Sequence, residues 1–76
     1  PREVATAKLA ALAERFAASI DVVRDGQSVP ARSLMGLMLL NAGKGAEIEL
    51  RAEGWDAKEA VEALAALIEA GFDERD

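Results

Sequence analysis

The sequence predicts an α+β domain in which helices cover one face of a small antiparallel sheet. Stretches with apolar residues at helical spacing lie at residues 3–17 and 57–68, near the two ends of the chain. Between them lie a hairpin signal and a segment of strict apolar–polar alternation. Because a three-stranded sheet with an apolar face has to be covered, the helices should form a second layer on that face. The length of 76 residues predicts a single domain over residues 1–76.

The first helix is predicted over about residues 3–17. Ala5, Leu9, Leu12 and Phe16 recur at steps of four, three and four residues, which places them on one helix face.

A β-hairpin is predicted next. Residues 20–24 are rich in β-branched side chains, Asp25-Gly26 follows, and an apolar alternation resumes at Val29 and Ala31. Asp-Gly between two such runs favours a two-residue turn, since the turn requires positive φ. Pro30 cannot donate a ladder hydrogen bond, so the second strand should be short and lie at a sheet edge.

A short helix and a third strand follow the hairpin. Ser33 is a good N-cap and Gly43 a good C′ residue, which predicts a helix over residues 34–42. Four apolar residues then alternate with four charged ones, which predicts a half-buried strand over residues 46–53.

The last helix has predicted signals at both ends. Asp56 and Glu59 have capping-box spacing, and Trp55 is positioned to pack on Ala60 as a hydrophobic staple. Gly71-Phe72 predicts a Schellman stop in which the phenyl ring packs back on the helix. The apolar stripe comprises Ala57, Ala60, Val61, Leu64, Leu67 and Ile68.

Composition excludes several classes of function. With no cysteine and no histidine, the chain has no disulfide, no thiolate or imidazole metal site and no histidine-dependent catalysis, so neither metal nor cofactor is expected. The net charge of −5, with basic residues scattered singly, argues against nucleic-acid binding. No apolar run approaches the ~20 residues of a membrane span, and no signal peptide is visible. A cytoplasmic domain that is not an enzyme is the expectation.

The segment at 33–45, SLMGLMLLNAGKG, is unusually apolar for a short helix. Its large apolar residues cannot all face the sheet, so either the small domain buries the whole run or part of it is a docking surface. Methionine suits a surface that meets several partners. Leu34, Met35 and Met38 are the candidate partner contacts, and Gly36 would allow a partner to approach closely.

Two other features favour structural interpretations. Gly43-Lys44-Gly45 lacks the frame of a phosphate-binding loop and follows a helix instead of a strand. Glu47 and Glu49 share one exposed strand face with no evident cleft, so they are interpreted as a solvated face.

From about Lys8 to Phe72 the chain resembles the bacterial HPr family, the histidine-containing phosphocarriers of the phosphoenolpyruvate-dependent sugar phosphotransferase system. The matching text is AKLAALAERF, a strand, DGQSVPARSLMGLMLLNAGKGAEIELRAEG and DAKEAVEALAALIEAGF, of which ARSLMGLMLLNAGKG is the most specific part. The resemblance implies an open-faced β-sandwich, in which three helices cover one face of a four-stranded antiparallel sheet. It also implies phosphoryl relay from enzyme I to enzymes II through a histidine in a G-L-H-A-R-P-A motif, with the short helix as part of the docking surface.

The N-terminus departs from the family pattern. The family histidine falls on Arg2, the motif arginine on Val4 and its proline on Ala5, and the strand that precedes the motif is missing. A guanidinium group has no free lone pair with which to accept a phosphoryl group, so histidine phosphorylation is not expected. Either the chain is truncated or altered, or it belongs to a divergent branch without carrier chemistry. The alternative function is a regulatory protein-binding module.

Two further expectations follow from the resemblance. Ser33 aligns with a serine that a regulatory kinase phosphorylates in part of the family, although a cap alone would also explain it. Without the first family strand, the strand at 46–53 would have a free edge, through which the chain could dimerise.

Overall fold

A computed structural model describes residues 2–43 and 45–73, and the side chains of residues 4–43 and 45–72. The elements in chain order are helix α1 (Arg2–Ala13), strands β1 (Ser19–Arg24) and β2 (Gln27–Pro30), helix α2 (Leu34–Leu40), strand β3 (Glu49–Glu53) and helix α3 (Ala57–Glu69). A single 3₁₀ turn, Gly71–Asp73, follows α3. The predicted order of elements is confirmed.

The three strands form one antiparallel sheet in the order β2-β1-β3. The β1–β2 connection is a two-residue turn in which Asp25 and Gly26 both have positive φ, 52° and 79°. These angles give the hairpin turn that matches the twist of its strands. Pro30 ends β2 on the sheet edge, as predicted.

One face of the sheet is covered and the other is open. Helix α3 packs on β3 and β1, α2 packs on β2, and α1 packs on both of these helices. The domain therefore has the predicted α+β, open-faced architecture. The larger fully buried core side chains come from every layer: Leu9, Val22, Leu37, Leu64 and Phe72.

Helix α1 ends four residues earlier than predicted, at Ala13. Arg15 and Phe16 donate backbone hydrogen bonds to carbonyls only three residues back, so the helix tightens and stops. The N–H groups of Ala17 and Ala18 then donate to the carboxylate of Asp56, at 2.9 and 2.8 Å. These two long-range hydrogen bonds use backbone N–H groups that a longer α1 would have used for its own helical hydrogen bonds.

Helix α2 ends at Leu40 instead of residue 42. Asn41 adopts the left-handed conformation (φ 58°), its N–H donates to Met38, and the N–H of Ala42 donates to Leu37. These are the two bonds of a Schellman motif, so Asn41 takes the position predicted for Gly43. Strand β3 correspondingly begins at Glu49, three residues later than predicted.

The predicted capping box and staple of α3 are wrong. Asp56 precedes the helix but its side chain makes no capping hydrogen bond, because both carboxylate oxygens accept from the α1–β1 connection. Trp55 is 83% exposed and so does not staple the helix entry.

The predicted packing of Phe72 at the other end of α3 is confirmed. Its ring is buried, its own φ is positive (60°), and its carbonyl accepts a 2.7 Å hydrogen bond from the Lys8 ammonium. The C-terminal end of α3 is thereby held against α1.

None of the helices in the described part of the chain is long and apolar enough to cross a bilayer. Among residues 2–43 and 45–73, no three acidic, histidine or cysteine side chains lie together in a way that would hold a metal ion.

Candidate docking site on the second helix

Helix α2 divides its apolar residues between the core and solvent. Leu37 and Leu40, three residues apart, are buried on the face toward β2 and α1. The opposite face exposes four large apolar side chains, with exposed fractions of 43% for Leu34, 73% for Met35, 38% for Met38 and 79% for Leu39. The seven-residue helix therefore presents a continuous apolar strip, which we call the α2 face and define as these four residues.

The α2 face contains the three predicted contacts and one that the sequence interpretation missed. Leu39 is its most exposed member. The signal was available, because Leu39 follows Met35 by four residues and such pairs are neighbours on a helix surface.

Ser33 begins α2 as an N-cap. Its backbone is extended (φ −90°, ψ 100°), and its hydroxyl oxygen accepts a 2.9 Å hydrogen bond from the N–H of Gly36. The side chain is half-buried and borders the α2 face through Leu34. The structural role expected of Ser33 is thus present.

The neighbouring arginine does not turn toward Ser33. The guanidinium of Arg32 donates to the carbonyl oxygens of Phe16 and, at 3.5 Å, Ala18. Arg32 thus contacts the same α1–β1 connection that Asp56 binds.

Gly36 faces the interior instead of a partner. A Cβ atom there would lie 2.9 Å from the Ser33 hydroxyl oxygen and 3.1 Å from the Cβ of Val29. The cap and the close approach of α2 to β2 both require a glycine here. The position of Gly36 therefore does not support its predicted role of letting a partner protein approach closely.

We expect Gly36→Ala to destabilise the domain by about 1 kcal/mol, because a core clash of roughly 1–3 kcal/mol exceeds the ~1 kcal/mol gain in helix propensity. Ser33→Ala should cost about 1 kcal/mol through the lost cap. Since the clash is largely with the Ser33 hydroxyl, the double variant should lose less free energy of unfolding than the sum of the two, as urea unfolding would show. Strict additivity would contradict this geometry.

The positions aligned with the family's histidine motif lie in the first turns of α1. Arg2 is in the helix, and its side chain lies outside the described residues. Val4 is exposed and Ala5 is buried. Lys44, between the two glycines of the excluded phosphate-loop motif, also lies outside the described residues.

An ion pair between Arg51 and Glu49 lies on the open face of the sheet. Arg51 donates from Nε to Glu49 at 2.8 Å, two residues away on the same strand face. The hydrogen bond and charge of Arg51 lower the pKa of Glu49, and the same contact raises the pKa of Arg51. Both side chains are exposed, and Glu49 pairs with a cation instead of with a second carboxylate, unlike the paired carboxylates of acid–base catalysis.

Comparison with known proteins agrees with this geometry. A family model described as "PTS HPr component phosphorylation site" matches residues 4–70, a segment that begins after Arg2. The phosphocarrier protein HPr of Cupriavidus necator is 44% identical over 70 residues, covering 92% of this chain and 79% of the relative. The HPr-like protein Crh of Halalkalibacterium halodurans is 51% identical over 57 residues, covering 75% and 68%.

A solved structure with a similar sequence has a closely similar fold. The HPr dimer of Thermoanaerobacter tengcongensis superposes with a TM-score of 0.85 at 39% identity, covering 97% of this chain and 83% of that chain. With the sheet order, the covered face and the sequence match in agreement, the chain belongs to the HPr family of phosphocarrier proteins of the phosphotransferase system.

Proposed function

We propose that the chain acts as an HPr-type docking module, which binds enzyme I and enzymes II of the phosphotransferase system through the α2 face. The observation that supports this most directly is the exposure of four large apolar side chains on a seven-residue helix. Small soluble domains usually bury such residues, and a contiguous exposed group of them marks an interaction surface. Methionine side chains let one surface adapt to partners of different shape.

Within these 76 residues the proposed module binds its partners without accepting their phosphoryl group. The chain contains no histidine, and the position aligned with the family's phosphorylated histidine is Arg2. A guanidinium group stays protonated and offers no lone pair for attack on phosphorus. The cytoplasmic location stays a prediction.

Docking is tested by titrating the ¹⁵N-labelled chain with enzyme I. We expect the largest shifts at α2, and we expect Met35→Glu and Leu39→Glu each to weaken binding about tenfold or more, because a charge replaces an apolar contact that becomes desolvated. Both side chains are highly exposed in the free chain, so folding should change little.

Ser28→Glu is the matched control, since Ser28 is exposed on β2 and lies outside the α2 face. Equal binding by all three variants would contradict docking through α2.

The phosphoryl step has its own test. Incubation of the chain with enzyme I and labelled phosphoenolpyruvate should give no acid-labile label. Label on the chain would contradict the expectation that no residue here replaces the histidine, while leaving the docking test unaffected.

The alternative function is a regulatory module controlled at Ser33, and the position of that side chain favours it. Ser33 borders the α2 face through Leu34, so a phosphate on its hydroxyl would bring negative charge beside an apolar docking surface. Ser33→Asp is expected to alter partner affinity, whereas Ser33→Asn, which retains a capping group without the charge, should not. A serine kinase is the implied partner, and equal affinity of both variants for every partner tested would contradict regulation at this site.

A further inference from the structure

Arg24 contacts the C-terminal end of α2 from another element of the fold. It is the last residue of β1, and it pairs with Gln27 at the closed end of the β1–β2 hairpin. Its guanidinium Nη1 donates to the carbonyl oxygen of Asn41 at 2.7 Å and to that of Leu40 at 3.2 Å. A paired position in the sheet therefore anchors a side chain whose charged end lies on the last turn of α2.

The end of α2 needs a partner of this kind. The last carbonyl groups of a helix have no donor within the helix, and this end carries a partial negative charge. Basic side chains commonly meet both needs, but the last turn of α2 contains none. With seven residues, α2 is also below the ~12–15 residues at which isolated helices become even marginally stable. Arg24 thus supplies from β1 the cation that the helix itself lacks.

The guanidinium of Arg24 has a second charged neighbour, which competes weakly. The carboxylate of Asp25 lies 3.8 Å from Nε, and its side chain is 90% exposed, whereas that of Arg24 is 32% exposed. An ion pair at this distance and exposure contributes little, because water screens it. The shorter hydrogen bond to the carbonyl of Asn41 makes the helix end the main partner of Arg24.

The turn that Arg24 contacts bears the most exposed residue of the α2 face. Leu39 is 79% exposed and comes directly before the two residues whose carbonyl groups accept from Arg24. Leu34, at the first turn, follows the Ser33 cap. Opening of the last turn would therefore displace Leu39 while leaving Leu34 in place.

We propose that Arg24 is a positioning residue for docking, which holds the last turn of α2 so that Met38 and Leu39 face the partner. This inference rests on the proposed docking function. Arg24 acts through the helix and needs no contact with the partner. Without its guanidinium the last turn opens in a larger fraction of the molecules, and the measured affinity falls with the fraction that is competent to bind.

The effect on the helix is tested in the free chain by amide hydrogen exchange of Arg24→Met, which keeps the length of the side chain but has no donor. The N–H groups of Asn41 and Ala42 donate back into the last turn. Their exchange should be about tenfold faster, the factor expected for losing a partly exposed hydrogen bond from a charged group. The amide of Gly36, in the capped first turn, should keep its rate. Unchanged exchange at Asn41 and Ala42 overturns the proposal.

The effect on docking is tested with enzyme I by isothermal titration calorimetry. Arg24→Met should weaken binding about threefold, because the opened turn leaves about a third of the molecules competent to bind. In a Leu39→Ala background the loss should be smaller, since the side chain that Arg24 positions is already gone. In a Leu34→Ala background it should persist in full. Equal losses in both backgrounds overturn the proposal, because a general loss of stability would have that result.

Two further variants are controls. Arg24→Lys retains the charge and a single donor group, so it should recover part of both losses. Arg51→Met removes the same charge from the open face of the sheet and should match the original chain in exchange and affinity. If Arg51→Met weakened binding as much as Arg24→Met, net charge would account for the result and the proposal would fail.

Failure of this inference differs from failure of the proposed function. A chain that binds enzyme I but gives any of these contrary results contradicts the role of Arg24 alone. If the original chain did not bind enzyme I, the proposed function would fail, and the docking role of Arg24 would fail with it.

Discussion

Phe72→Ala is expected to lower the free energy of unfolding by about 3–5 kcal/mol, the usual cost of removing a buried phenyl ring. The ring is buried in the core, and the turn that bears it contacts both α3 and α1. Since small domains have a total stability of only about 5–15 kcal/mol, this loss should leave the variant partly unfolded on mild warming.

Urea unfolding followed by circular dichroism measures the effect. Phe72→Leu is the matched control, since it keeps the same strained backbone position and most of the apolar volume and should therefore lose less. If the alanine variant were as stable as the leucine variant, the ring would not be part of the core that holds α3 to α1.

Asp56→Ala is expected to cost about 2–4 kcal/mol, because it removes two charge-assisted hydrogen bonds and leaves a buried donor unpaired. The carboxylate accepts from the N–H groups of Ala17 and Ala18, and the second of these residues is buried. Water can reach Ala17, which is exposed, but the amide of Ala18 has little access to a replacement acceptor. The connection between α1 and β1 should loosen in this variant.

Two variants sharpen the measurement. Asp56→Asn retains one acceptor oxygen and should fall between the original chain and the alanine variant. Glu59→Ala removes the residue that has capping-box spacing with Asp56 and is exposed, so it should change the free energy of unfolding by less than about 0.5 kcal/mol. If Asp56→Ala and Glu59→Ala lowered the free energy of unfolding equally, Asp56 would act as a helix cap and not through its hydrogen bonds to the α1–β1 connection.

The sequence predicted the elements well wherever the signal was local. The Asp25-Gly26 turn, the alternation around Leu50 and the apolar stripe of α3 each depend on residues that are neighbours in the chain. Helix ends were less predictable because long-range contacts determine them. Asp56 has the local appearance of a helix cap, yet its carboxylate is taken by donors almost forty positions earlier.

In the candidate docking site, too, local sequence patterns predicted some features and long-range contacts determined the others. Helical spacing alone separates buried Leu37 and Leu40 from the exposed residues around them, so the α2 face was partly predictable. The role of Gly36 was not, because it depends on the approach of Val29 from another element.

Both ends of α2 are fixed by contacts other than those of its own backbone. Arg24, at the end of β1, donates to the carbonyl oxygens of Leu40 and Asn41 at 3.2 and 2.7 Å, while Ser33 satisfies an amide at the opposite end. In the proposed docking mode, an incoming protein meets a helix that is already ordered, and little chain entropy is lost when it binds. Discrimination among partners then falls to the flexible methionine side chains, which can change rotamer while the rigid backbone beneath them stays still.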